Sequence, residues 1–474
     1  MKAVRAHQLY LPNNPVYKGA IDAMRAGFAP IWQHTEDFAL RFTETEIRWY
    51  DRPVLAESSK SADSLPWTFF KDGVREVTLS KGFEDGELVK LLQRMIRIRS
   101  YSAGGEEAQI ARFVQDCCAT LGLESTLQEV QPGRFNVISR WRGTGGGTSL
   151  MLNGHLDTNP AGAGWTRDPL AGDVDDAFIY GIGVSNMKAA DAAYIAAVRA
   201  VRDAGIRLRG DVVLAHVVGE LQGGVGTVHM LRQGVRADRF VVGEPTDLAL
   251  LLLHAGSMEL ELVTRGETRH LSKMEEGVDA IEHMLRVIGR LKTMTFSGPA
   301  RADYESVRRL AIGVIRGGLG PEFLDWRPSL LADHCAIRFA VRYSPGQTHD
   351  SILADVRREI AALRAADPHI DADVHPNPAR SLFMEPFEVS ADVDIVRTVR
   401  RAHVEIAGAE PLVGAPAPYR YYGTDAAHLS RAGMVGLVYG PGGRYNTMPD
   451  ERVDLVDLFN ATRVYARTIV EVCS

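Results

Sequence analysis

The sequence reads Ser149-Leu150-Met151-Leu152-Asn153-Gly154-His155-Leu156-Asp157-Thr158, a short apolar run that is followed at once by a histidine and an aspartate. An apolar run of this length predicts a buried strand that ends near His155. Two further β-branched runs predict strands at 212–218 and 240–242, and Glu220 and Glu244 follow them just as closely. Because functional groups of parallel sheets gather where strands end and loops begin, His155, Glu220 and Glu244 are expected at one edge of a sheet.

Helical patterns separate these strands. Apolar side chains have helical spacing at 88–96, at 108–121 and, in an Ala-rich segment, at 187–204. Strands that alternate with helices predict an α/β fold, with a mainly parallel sheet covered by helices on both faces. We assign this catalytic domain to residues 84–257 and 373–474.

The pattern of apolar and polar residues changes between residues 258 and 372, and this segment interrupts the catalytic domain. Partial alternation at 260–263 and 336–341 predicts strands, and amphipathic spacing at 278–291 and 351–365 predicts helices. The order strand, helix, strand, helix over this length predicts a small two-layer α/β domain that is inserted into the first.

Residues 1–83 form an N-terminal extension to which the sequence assigns no role. They contain more aromatic residues than a disordered tail would, namely Trp32, Trp49, Trp67, Phe69 and Phe70. The patterns within the extension predict a helix at 20–28 and strand structure at 38–49.

The composition excludes several classes of protein. Among 474 residues, 45% are hydrophobic and 24% charged, as in an ordinary globular protein. A net charge of −6 lacks the excess of basic residues that is typical of nucleic-acid-binding proteins. No apolar run is long enough for a membrane span. The first residues lack the apolar core of a signal peptide, and four cysteines do not make a disulfide framework. We therefore expect a cytoplasmic protein with reduced cysteines, and no nucleic acid or membrane partner.

Ten motifs stand along the chain in the order found in one known family. They are Gly154-His155-Leu156-Asp157-Thr158, Trp165 with Asp168-Pro169, Tyr180-Gly181-Ile182-Gly183, Met187-Lys188, Glu220 with Gly223-Gly224-Val225-Gly226, Gly243-Glu244-Pro245-Thr246, Gly266 with His270, Arg342 with Pro345-Gly346-Gln347-Thr348, Gly423-Thr424-Asp425-Ala426, and Gly440-Pro441-Gly442. With these motifs, residues 84–474 resemble the zinc metallopeptidases that include aminoacylase, acetylornithine deacetylase, succinyl-diaminopimelate desuccinylase and carboxypeptidase G. The resemblance implies a homodimer, formed through the inserted domain, which also acts as a lid.

The resemblance also implies a cage for two zinc ions, only part of which is present. The family uses a His, a bridging Asp, a Glu, a second Glu or Asp, and a last His. His155 and Glu244 match the first and fourth ligands, and Asp157 matches the carboxylate that orients the histidine. Glu220 matches the general base. These matches imply that His155, Asp157 and Glu220 carry the catalysis.

Three ligand positions have changed. The bridging position holds Asn186, the position after the general base holds Leu221, and the last His is replaced by Thr447. An alkyl group and a hydroxyl are poor zinc ligands. The resemblance therefore implies either no metal or at most one weak zinc site, which would use His155, Asn186 and Glu244.

The substrate side of the family pattern is better preserved. His270 matches a histidine that reaches the active site, in several members that of the partner subunit, and binds the scissile carbonyl or its oxyanion. Arg342 matches an arginine that binds the substrate's carboxylate. Asn186 and Thr447 occupy positions that bind zinc in the family, but both are poor zinc ligands. They are therefore candidates for substrate binding instead. The implied substrate is an amino-acid-derived small molecule with a carboxylate.

Three functions stay open at this point. The first is an enzyme with a rebuilt, zinc-poor or metal-free centre, in which crowded carboxylates and His155 run acid-base chemistry such as amide formation, cyclisation, elimination or hydrolysis. The second is a one-zinc amidohydrolase or deacylase of N-acyl amino acids. The third is a binding protein of the same fold that has lost its catalytic activity.

Overall fold

The computed structural model describes the backbone of residues 67–71 and 75–79, and all of residues 85–377 and 383–474. The helix and strands predicted at 20–28 and 38–49 lie outside the described residues, as does most of the extension 1–83. Within that extension, β1 (Trp67–Lys71) and β2 (Arg75–Leu79) pair as an antiparallel hairpin.

Sixteen further strands follow in the described part of the chain. They are β3 (Glu124–Gln131), β4 (Arg134–Trp141), β5 (Leu150–His155), β6 (Phe178–Tyr180), β7 (Val212–Val217), β8 (Arg239–Val242), β9 (Leu250–Leu251), β10 (Leu253–His254), β11 (Gly256–Arg265), β12 (Arg309–Gly318), β13 (His334–Tyr343), β14 (Asp371–Pro376), β15 (Phe387–Glu388), β16 (Val413–Gly414), β17 (Val435–Val438) and β18 (Arg452–Asp454).

Ten α-helices accompany these strands in the same described residues. They are α1 (Asp85–Ile96), α2 (Ala108–Thr120), α3 (Ala189–Asp203), α4 (Val225–Arg232), α5 (Ala280–Thr293), α6 (Ala302–Val307), α7 (His349–Ala366), α8 (Asp394–Ala407), α9 (Ala426–Arg431) and α10 (Leu455–Cys473). None of the described helices is both long and apolar enough to cross a membrane.

The largest sheet has eight strands in the order β16-β9-β17-β8-β5-β7-β4-β3. Its centre, from β17 through β8 and β5 to β7, is parallel, while β4 and β3 are antiparallel at one edge. The predicted mainly parallel sheet is confirmed. The antiparallel edge was not predicted, because β3 exposes many of its side chains and lacks an apolar run.

Both faces of this sheet are covered, as the unbroken apolar runs predict. In β5, Leu150 and Leu152 point to one face and pack against residues of α1, α2, α3, α8 and α10. Met151 points to the other face and packs against residues of α4 and α9. This alternation fixes which side chains are core, and it leaves the ends of the strands for polar groups.

A second sheet lies between residues 256 and 376. It is antiparallel in the order β12-β13-β11-β14, and α5 and α7 share its hydrophobic core. The predicted strands and helices of the inserted segment are therefore present. The predicted boundaries, 258–372 for the inserted domain and 84–257 with 373–474 for the catalytic domain, stay a prediction.

Candidate active site

Three side chains meet at the carboxyl edge of the parallel strands. His155 is the last residue of β5, Glu220 begins a 3-10 turn after β7, and Glu244 follows β8. Since β5 lies between β7 and β8 with all three parallel, their ends come together. His155 Nε2 lies 3.6 Å from Glu244 Oε1 and 3.9 Å from Glu220 Oε2, and all three residues are buried.

Asp157 positions His155 and the turn that carries Glu220 through hydrogen bonds. His155 Nδ1 lies 2.8 Å from the Asp157 carbonyl oxygen and 3.4 Å from its carboxylate. The same carboxylate accepts hydrogen bonds from the backbone N–H groups of Gly219, Glu220 and Leu221, and from the Ser102 hydroxyl. One buried carboxylate thus fixes both the histidine and the turn that carries Glu220.

Burial and crowding set the charges of the cluster. Burial is the main cause that raises the pKa of Glu220 well above its usual value, and the Glu244 charge adds to it. Burial also raises the pKa of Glu244. Burial by itself would lower the pKa of His155, but the hydrogen bond and charges of Asp157, with the charges of Glu244 and Glu220, outweigh it and raise that pKa.

A fourth buried carboxylate, that of Asp425, adds its charge to this cluster. It lies at the start of α9, is 2% exposed, and its charge contributes to the raised pKa values of Glu220 and Glu244. Its Oδ1 has no hydrogen-bond partner among the described residues. Sequence reasoning gave Asp425 no role, although its place in Gly423-Thr424-Asp425-Ala426 was the available signal.

The three altered positions line the same cavity as the cluster. Asn186 belongs to a π-helical turn over Val184–Lys188, an irregularity that often marks functional sites. Leu221 is half-buried beside Glu220. Thr447 is exposed, has φ 56°, and its hydroxyl donates to Asn446 Oδ1 at 2.7 Å.

Two adjoining cavities open at this site. The larger, of about 290 Å³, is lined by Asn186, Glu220, Glu244, Arg342, Tyr422 and Thr447 among others. The smaller, of about 170 Å³, shares Asn159, Asn186 and Thr447 with it. The structure therefore brings together every predicted site residue except His270. That side chain is exposed, lies 3.0 Å from the Ser272 hydroxyl, and does not line either cavity.

The possible metal-ligand atoms at the cluster that have no hydrogen-bond partner among the described residues fit one divalent cation. Within residues 85–377 and 383–474, His155 Nε2 and Asn186 Oδ1 are buried without a hydrogen-bond partner. His155 is also the only ion-pair partner that either Glu220 or Glu244 has in those residues. Buried polar groups are normally satisfied, and buried carboxylates are paired or bind metal. An imidazole and a carboxylate suit zinc, and the amide oxygen of Asn186 is a neutral and weaker ligand for it.

Comparison with known proteins assigns the family. Residues 151–471 match the model of peptidase family M20/M25/M40. The match covers more than half of the chain, so this chain belongs to that family, as its motifs had indicated. It is an enzyme of the peptidase and amidohydrolase class.

The sequence relatives include a deformylase and a deacetylase. The chain is 25% identical to the N-formyl-4-amino-5-aminomethyl-2-methylpyrimidine deformylase of Bacillus subtilis (strain 168), over 82% of this chain and 95% of the relative. It is 27% identical to the acetylornithine deacetylase of Proteus mirabilis (strain HI4320), over 81% of this chain and 96% of the relative. Among solved structures, aminopeptidase PepT from Bacillus cereus shares the fold with a TM-score of 0.65 and 20% identity, over 82% of this chain and 99% of that one.

Proposed function

We propose that the protein hydrolyses the amide bond of a small N-acyl amino acid or a similar carboxylate at a centre that holds one zinc ion. The ligands would be His155, Asn186 and Glu244. The observation that carries the proposal is that, in the part of the chain that the structure describes, ligand atoms of His155, Glu220 and Glu244 lie within 4.8 Å of one another. His155 Nε2 and the Oδ1 atom of Asn186, which lines the same cavity, are buried there without a hydrogen-bond partner. A zinc ion held there would supply Lewis-acid polarisation of the acyl oxygen.

A second ion has little support. Its site in the family would use the positions of Leu221 and Thr447 together with Asn186. Leu221 offers no ligand atom, and the Thr447 hydroxyl is engaged by Asn446. A centre with one metal rather than two therefore agrees best with the residues present.

Glu220, Asp157 and Arg342 would have separate roles in the hydrolysis. Glu220 would take a proton from the attacking water and return it to the leaving nitrogen, so that amide and water become carboxylate and amine. Asp157 holds the Glu220 turn and His155 in place through its hydrogen bonds. Arg342, on the wall of the larger cavity, would bind the carboxylate of the substrate.

The test is a metal and activity measurement on protein purified without chelator. We expect about one zinc per chain, and hydrolysis of N-formyl, N-acetyl or N-succinyl amino acids that is lost with chelator and restored by zinc. Activity that survives complete chelation would contradict the proposal and favour metal-free acid-base chemistry. Tight substrate binding with no turnover under either condition would favour a binding protein.

The proposal includes a homodimer that forms through the segment 256–376. His270 lies outside the cavities of its own chain, so it reaches a site only if a second copy contributes it. The edge strand β12 exposes Val314 and Ile315, and the neighbouring helix α5 exposes Leu285. An edge strand with exposed apolar side chains is well suited to pair with a second copy.

We expect sedimentation at micromolar concentration to show a dimer that Ile315→Lys converts to monomer. The substitution places a charge where the partner's apolar surface would lie. Leu412→Lys is the matched control, because Leu412 is similarly exposed but lies in the other sheet region, before β16. A wild-type protein that sediments only as a monomer would contradict the dimer.

A further inference from the structure

A buried arginine lies beside the turn that carries Glu220. Arg134, the first residue of β4, is 6% exposed. Its Nε donates to Glu107 Oε2 at 2.9 Å, and its Nη2 donates to the other oxygen of the same carboxylate. Glu107, just before α2, is itself fully buried. This bidentate ion pair fixes the plane of the guanidinium, because both carboxylate oxygens are engaged at once.

The remaining nitrogen of this guanidinium joins the ion pair to two glutamines. Arg134 Nη1 carries two N–H groups, and it donates to Gln131 Oε1 at 2.7 Å and to Gln222 Oε1 at 2.5 Å. Gln131 is exposed at the end of the edge strand β3. Gln222, by contrast, is the last residue of the 3-10 turn that begins at Glu220. One of the two bonds therefore reaches the turn of the candidate base, and the other does not.

Gln222 also closes a path of hydrogen bonds around this turn. Its Nε2 donates to the Ser102 carbonyl oxygen at 3.1 Å, and the Ser102 hydroxyl donates to Asp157 Oδ2 at 2.8 Å. The Asp157 carboxylate accepts the backbone N–H groups of residues 219–221. The turn is thus anchored at its start by Asp157 and at its end by Gln222, and Ser102 links the two anchors.

The backbone on either side of the turn makes these anchors important. Gly219 and Gly223 flank it with φ values of 70° and 89°. Glycine adopts such conformations without strain, but it also has more alternative conformations than any other residue. A general base must stay within hydrogen-bond reach of its water, and a misplacement of about 1 Å can cost about a hundredfold in rate. A fixed contact at the end of the turn therefore bears directly on the rate.

We infer that Gln222 is a positioning residue for Glu220, and that the buried pair of Arg134 and Glu107 is the fixed point to which Gln222 is attached. This inference rests on the proposed function for the role of Glu220 as the base. The hydrogen bonds that hold the turn do not depend on that role.

The experiment compares Gln222→Leu with Gln131→Leu in the full-length, zinc-loaded protein. Each variant removes one acceptor from the same Arg134 nitrogen, but only Gln222→Leu releases the turn. Arg134 and Glu107 stay intact, because removing one partner of a buried ion pair strongly destabilises a fold. Kinetics are measured on whichever of the N-formyl, N-acetyl and N-succinyl amino acids the wild type hydrolyses fastest.

We expect Gln222→Leu to lower kcat about tenfold, while KM and zinc content stay unchanged and Gln131→Leu keeps the wild-type kcat. A tenfold loss is the lower end of what substitutions around the ligands of a metal site cost. The lower end applies because the bonds from residues 219–221 to Asp157 remain.

A double-mutant cycle separates positioning from general destabilisation. If Gln222 acts through Glu220, Gln222→Leu should change kcat by less than about twofold once Glu220→Gln has removed the base. An effect on folding alone would lower kcat by the same factor in both backgrounds. An unchanged kcat in Gln222→Leu, an equal loss in Gln131→Leu, or the full tenfold loss in the Glu220→Gln background would overturn the inference.

Hydrogen exchange measured by mass spectrometry gives a readout that does not depend on activity. The backbone amides of residues 219–224 should exchange several-fold faster in Gln222→Leu than in the wild type or Gln131→Leu, because the turn opens more readily without its second anchor. If the zinc-loaded wild type hydrolyses none of the substrates, the proposed function fails, and the exchange rates alone decide the inference. Equal exchange in all three proteins would then overturn it.

Discussion

Glu220→Gln is expected to lower kcat by about a hundred- to ten-thousand-fold, the usual contribution of a general acid-base group. The amide keeps the size of the side chain and its place in the turn after β7, but it cannot accept a proton from water. The backbone N–H of residue 220 still donates to Asp157, so the turn should keep its shape. Substrate affinity should change little, because the interaction that is lost belongs to the reacting atoms.

Glu244→Gln provides the matched comparison for that variant. Both carboxyl groups are buried and lie within 4 Å of His155 Nε2, so each substitution replaces one carboxyl group by an amide in the same pocket. If Glu220 is the base and Glu244 a ligand, Glu220→Gln keeps its zinc and loses turnover, whereas Glu244→Gln loses zinc and turnover together. Elemental analysis beside steady-state kinetics separates the two roles. Near-full activity in Glu220→Gln would remove it as the base.

The sequence was sufficient to predict where the catalytic strands end. The unbroken apolar runs of β5, β7 and β8 require burial on both faces, and polar side chains follow each run at once. Parallel pairing then brings His155, Glu220 and Glu244 to one edge, and it needs no knowledge of exact distances. The same reasoning found β11, β13, α5 and α7 in the segment 258–372, because their patterns are local, but it did not predict β12, β14 or α6.

Contacts between segments that are distant in the sequence could not be predicted from local patterns. The bond between Asp450 and Thr166 joins residues 284 positions apart, and neither side chain has a local pattern that indicates the other. Three of the four hydrogen bonds to Asp157 likewise depend on how the loop after β7 folds back over β5, and the fourth comes from Ser102, which lies before α2. Asp425 belongs to the motif Gly423-Thr424-Asp425-Ala426, but only the packing of α9 buries its carboxylate close enough for its charge to raise the pKa of Glu220. These contacts shape the site, and they arise from tertiary structure alone.

The triple variant Asn186→Asp, Leu221→Glu, Thr447→His is expected to raise bound zinc from about one to about two ions per chain. All three positions line the larger cavity, so the change adds two carboxylates and an imidazole to one space. Position 447 should accept histidine readily. Its φ of 56° lies in the left-handed region, where a β-branched residue such as threonine is disfavoured and histidine is several-fold enriched among non-glycine residues.

Zinc content after equilibrium dialysis against a fixed free concentration measures the effect. The control is the same triple variant with glutamine rather than glutamate at position 221. It has nearly the same shape but lacks the anionic ligand, so it should hold the second ion much more weakly. A stoichiometry that stays at one in the glutamate variant, with the fold intact by circular dichroism, would mean that at least one of the three positions does not correspond to a family ligand. The second ion would be gained by restoring charge in a space that already exists, which is why an effect of this size is expected from three substitutions.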